Sequence, residues 1–83
     1  MQAISQKEFE GAIRKVANEG HAVKSYFISG YRAEIKFYTN KYNELMNSVI
    51  ELEDDNRFSY SDSREGSDQS EVFIDRLIQV LSA

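Results

Sequence analysis

A chain of 83 residues with ten Lys and Arg against fourteen Asp and Glu, a formal net charge of −4, has room for one domain (1–83) around one small core. It holds neither Cys nor Pro, which excludes disulfide frameworks, thiolate metal sites and Cys nucleophiles, and points to the cytoplasm. Polar residues follow Met1, and no apolar run approaches the ~20 residues that span a bilayer, so neither a secretory leader nor a membrane segment is expected.

Ser5 with Glu8 forms a capping box, and Ile4 with Phe9 a hydrophobic staple, so the spacing predicts a helix from there. Phe9, Ala12, Ile13, Val16 and Ala17 make its apolar stripe, Arg14 and Lys15 suit its negative end, and Gly20 is placed to end it in a left-handed conformation. Gly11 interrupts this helix. It either permits close approach to a neighbouring element or is merely tolerated.

The stretch 22–39 organises the rest of the chain. Ala33, Ile35 and Phe37 alternate with Arg32, Glu34, Lys36 and Tyr38, the period of a half-buried strand. Val23, Tyr26, Phe27 and Ile28 favour a strand before it, and Ser29-Gly30 supplies turn chemistry, so a β-hairpin is predicted. Tyr42, Leu45, Met46, Val49 and Ile50 then recur at helical spacing with Asn40 as a cap, which predicts a second helix. A single helix over 32–54 has an unbroken seam as well, but the β-formers crowding 31–39 favour strand then helix. Phe58 and Tyr60 alternate with Ser59 and Ser61, which suits a third strand with a hydroxyl-lined outer face, and REGSDQ reads as a loop. Asp68 with Glu71 is a second capping box, opening a last helix whose apolar face comprises Phe73, Ile74, Leu77, Ile78, Val80 and Leu81. The expected fold is α+β, an antiparallel sheet of about three strands with helices on one face, in the order α-β-β-α-β-α.

Charge is unevenly distributed along the chain. Residues 1–42 carry seven Lys and Arg against four Glu, a net +3, and residues 43–83 carry three Arg against ten acids, a net −7. Glu51, Glu53, Asp54 and Asp55 fall in the last turn of the predicted second helix, where the dipole disfavours negative charge. Departures from local consistency concentrate at functional sites, so these acids, with Asp62, Glu65 and Asp68 and the tyrosines Tyr31 and Tyr60, form the candidate partner-binding set. The competing reading is a solvated face with no partner. On the hairpin, Lys24, Arg32, Lys36 and Tyr38 offer a basic and aromatic mix of the kind that binds single-stranded nucleic acid, with Glu34 in its middle.

Catalytic apparatus is sparse. His21 is the sole histidine and is expected as a solvated loop residue. Asp54, Asn56, Asp62 and Glu65 fit positions 1, 3, 9 and 12 of an EF-hand loop, but Phe58 and Ser59 occupy positions 5 and 6, where a ligand and the turn glycine are needed. The four glycines are scattered and make no phosphate loop. No enzyme, metal or cofactor is expected. The preferred reading is a small cytoplasmic interaction protein, an inhibitor or adaptor docking on the basic surface of a partner, such as a nucleic-acid-binding protein. In size and charge it is similar to inhibitors encoded by phages and other mobile elements, including anti-CRISPR proteins and nucleic-acid mimics, although no family motif is present. A nucleic-acid-binding hairpin face and a homo-oligomeric subunit joined through the last helix are the alternatives.

Overall fold

The computed structural model describes residues 3–38, 45–63 and 69–82. The elements run α1 (Gln6–Ala17), β1 (Val23–Ser29), β2 (Arg32–Tyr38), β3 (Leu45–Leu52), β4 (Phe58–Asp62) and α2 (Gln69–Ser82). The class is α+β, with the helices on one face of an antiparallel sheet whose strands lie side by side in chain order.

α1 begins as its sequence dictates. The Ser5 hydroxyl accepts from the Glu8 N–H at 3.1 Å while the Ser5 N–H donates to Glu8 Oε1 at 3.2 Å, satisfying donors that the first turn leaves free. Phe9, Ala12, Ile13 and Val16 are its buried stripe. Gly11 lies on the solvent side, where an added Cβ meets nothing within 4 Å, so no close approach explains it. The helix ends at Ala17, capped by Asn18, and Gly20 turns the chain with φ of 92°.

The hairpin of β1 and β2 closes through the two-residue loop Gly30-Tyr31 between paired Ser29 and Arg32. Positive φ at Gly30 alone, 61°, is the pattern of a type II′ turn, whose twist matches the flanking strands. Ala33, Ile35 and Phe37 are buried beneath the helices, with the Phe37 ring edge-on to Phe73 at 5.6 Å, and Tyr38 is exposed.

The predicted second helix is instead strand β3, so the order is α-β-β-β-β-α, and the single helix over 32–54 is overturned with it. Register explains the difference. Met46, Ser48, Ile50 and Leu52 point inward and Leu45, Asn47, Val49 and Glu51 outward. A serine in an inward position and two aliphatics in outward ones conceal the alternation, leaving Leu45, Met46, Val49 and Ile50 at an apparent helical spacing. Ser48 tolerates full burial because its hydroxyl bonds that of Ser70, in the first turn of α2, at 2.8 Å, and Ser70 in turn donates to Asp62. The Asn40 cap and Tyr42 lie outside the described residues, as does Asp68 of the second capping box.

β4 alternates as expected, with Phe58 and Tyr60 on the helix side of the sheet and Ser59 and Ser61 on the other. α1 contacts β1, α2 contacts β4, and the two helices pack against each other. Together α1, β2, β3 and α2 supply the buried core.

Candidate partner-docking surface

Sequential strand order has an electrostatic consequence. β1 and β2 lie on one side of the sheet and β3 and β4 on the other, so the strands keep the charge asymmetry along the chain. α1 and α2 pack together across them, and the N-terminal end of α1 reaches the β3–β4 hairpin, the Ile4 N–H donating to Asn56 Oδ1 at 3.1 Å. Among the described residues the first half holds six Lys and Arg against four Glu, a net +2. The second holds Arg57 and Arg76 against seven acids, a net −5.

Within the acidic half, Glu53, Asp54 and Asp55 form the tip of the β3–β4 hairpin. The Glu53 N–H donates to Arg57 O at 2.8 Å, the Asn56 N–H to Glu53 O at 3.0 Å, and Asn56 has φ of 62°. This is a three-residue loop closed by a left-handed residue, a role in which Asn and Asp are favoured for their local hydrogen bonding. The acids therefore do not sit at a helix C-terminus, and the dipole clash that singled them out is absent. Several have local work. The Asp55 carboxylate accepts from the Arg57 guanidinium at 2.5 Å and from its backbone N–H at 3.3 Å. Partial desolvation raises the Asp55 pKa, but these bonds outweigh it and hold the pKa below the usual value. Glu53 accepts from the Ser59 hydroxyl at 2.8 Å, while Asp54 is exposed and in no ion pair among the described residues. Glu51 points out of the open sheet face, 4.0 Å from Arg32.

A second group of acids lines the β4 edge and α2. The Tyr60 hydroxyl donates to Glu71 Oε1 at 2.7 Å, and this bond, aided by burial and by the charges of Glu71 and Asp62, raises the phenol pKa and keeps the proton in place. Asp75 lies one helical turn beyond Glu71 and shares with it, Tyr60, Phe58 and Ile74 a shallow groove between strand and helix. Glu71 and Asp75 stand outside the candidate set; their i, i+4 spacing was the signal that places them on one face. Asp62 is half-buried under Ser70 and is a structural acceptor more than a free contact. Glu65 and Asp68 lie outside the described residues. Tyr31 does not join Tyr60: it sits in the β1–β2 turn with its ring 6.3 Å from Phe9.

Both hairpins present the face opposite the helices. Arg32, Lys36 and Tyr38 share it, while Lys24 lies at the bulge between Val23 and Ser25 at the sheet edge. Arg32 is engaged by Glu34 at 3.4 Å and by Glu51. Two basic side chains, Arg32 and Lys36, against two acidic ones, Glu34 and Glu51, make this face a poor track for a phosphate backbone.

No family model, curated protein or solved structure matches the chain.

His21 is not simply solvated. Its ring meets the edge of Phe73 at 5.9 Å, and Nε2 lies 3.5 Å from Glu19, which also accepts two bonds from the Arg76 guanidinium at 2.8 and 2.9 Å. That bidentate contact, chiefly, brings the Glu19 pKa down to about 2 and fastens the loop after α1 to α2. Among the described residues no group of three or more His, Asp and Glu is placed to hold a metal ion.

Proposed function

We infer that this protein is a small acidic interaction module, an inhibitor or adaptor of the cytoplasm, whose β3-β4-α2 half docks on the basic surface of a partner protein such as the nucleic-acid channel of a DNA- or RNA-binding protein. One observation carries the reading: carboxylates of the hairpin tip and of the β4–α2 groove lie on the same half, which among the described residues has a net charge of −5 and gives most of these acids no cation partner. Such a surface attracts a positively charged partner at long range and speeds encounter, with Tyr60 available as a contact anchor among the acids. Size and one-sided acidity are also what this chain has in common with small phage-encoded inhibitors, including anti-CRISPR proteins.

Tagged chain incubated with lysate of the source cells at low and high salt tests the reading when run beside two variants. A basic protein retained at low salt, released at high salt, lost with Asp54→Lys/Asp75→Lys and kept with Lys7→Glu/Lys15→Glu fits it. Retention indifferent to the acidic substitutions, or retention of nucleic acid alone, refutes it.

A further inference from the structure

The open sheet face is covered by no other part of the described chain, yet it is only partly polar. Phe27 is 65% exposed there, and Tyr38 and Leu45, cross-strand partners on β2 and β3, are 42% and 40% exposed, with Val49 half-buried between the strands. Its charges are divided by strand. β3 carries only Glu51, and on β2 the basic Arg32 and Lys36 flank Glu34, which lies 3.4 Å from Arg32.

We propose that this face joins two copies of the chain about a two-fold axis running parallel to the strands. Such an axis lays β2 of one copy over β3 of the other with like ends together. Because Arg32 pairs with Glu51 and Tyr38 with Leu45 in the β2–β3 register, each Arg32 then faces Glu51 of the second copy and each Tyr38 faces Leu45 of the second copy. Both contacts occur twice, as an isologous interface requires. A two-fold across the strands instead lays β2 over β2, setting Glu34 against Lys36 and Arg32 against Tyr38 but Glu51 against Leu45; only the first arrangement joins an opposite-charge pair and the exposed apolar pair Tyr38–Leu45 together.

Four strands about 4.8 Å apart and five to eight residues long present roughly 400 Å² per copy. The total of about 800 Å² is that of a weak, transient interface, so the dimer is expected only at high protein concentration. The hairpin-tip and α2 carboxylates lie outside this face, and self-association stands or falls independently of partner docking.

Sedimentation equilibrium of the unmutated chain from about 10 μM to 1 mM at low salt tests the proposal, with circular dichroism verifying that each variant is folded. The mass is expected to climb from 9.6 kDa toward twice that value. Arg32→Glu and Glu51→Arg, both at half-exposed side chains, each weaken association at least tenfold, and Leu45→Asp does so without touching an ion pair. An equimolar mixture of the Arg32→Glu and Glu51→Arg chains regains the dimer, because both inter-copy contacts are again between opposite charges. A chain monomeric at 1 mM, single variants that associate like the unmutated protein, or a mixture no heavier than its components would overturn it.

Discussion

Ser70→Ala probes the reason β3 is a strand. Ser48 and Ser70 are 1% and 0% exposed, their hydroxyls are 2.8 Å apart, and Ser70 donates to Asp62, so the Ser48 hydroxyl must donate to Ser70. The substitution strips an acceptor from a hydroxyl that no water reaches and a donor from a half-buried carboxylate. A buried hydroxyl left without a partner costs about 1–3 kcal/mol, and a bond to a charged group contributes about 1.5–3, of which Asp62 recovers part through solvent. Together these predict a loss of about 2–4 kcal/mol, against a total of roughly 4–12 for a chain of this length. Ser48→Ala alone keeps the Ser70–Asp62 bond and costs about 1 kcal/mol. Combining the two removes the orphaned hydroxyl, so the double variant loses less than the sum of the singles by about 1–2 kcal/mol. Urea unfolding of the four proteins measures the cycle. Additive costs, or a neutral Ser70→Ala, would refute the reasoning, because Ser48 would then not point inward and the β3 register would be wrong by one residue.

Phe37→Ala removes a fully buried ring in contact with Phe73 and should cost about 3–5 kcal/mol, close to unfolding the domain, whereas Tyr38→Ala should cost under about 1; thermal melts give the order. Gly11→Ala adds a methyl into open space on an exposed helix face and should raise stability by about 0.8–1 kcal/mol, a rise of some 4–8 °C in the melting midpoint. Glu19 has its pKa lowered to about 2 in the folded state, so its contribution is present above its ordinary value of 4.5 and is lost as pH falls toward 2. Melts of Glu19→Gln across that window should therefore show a shallower acid decline than the unmutated chain, and parallel curves would contradict the Arg76 contact.

Much of this fold is legible in the sequence because the local signals agree with the packing. The Ser5–Glu8 box and the Ala33-Ile35-Phe37 alternation describe elements whose buried side chains are apolar, and the Phe58-Tyr60 alternation marks the helix side of β4, where Phe58 is half-buried. β3 was not legible, because its inward Ser48 is satisfied by a residue 22 positions away and its outward Leu45 and Val49 lie on a face the helices leave uncovered. Periodicity cannot see either fact. The Asp54-Asp55-Asn56 run did carry a readable turn signal, since all three residues tolerate tight turns, and it outweighs the helix-end reading that made these acids anomalous. Their candidacy survives on different grounds, namely that sequential strand order keeps the acidic half of the chain together.

The most direct measurement of partner docking is the salt dependence of the affinity for the captured basic partner, compared between the unmutated chain and Asp54→Asn/Asp75→Asn. A charge-driven contact predicts affinity that falls steeply as ionic strength rises from about 0.05 to 0.5 M, and a weaker low-salt affinity with a flatter slope for the neutralised variant. Equal slopes and equal affinities would show that the acidic half is a solvated face and that the partner, if any, is met elsewhere.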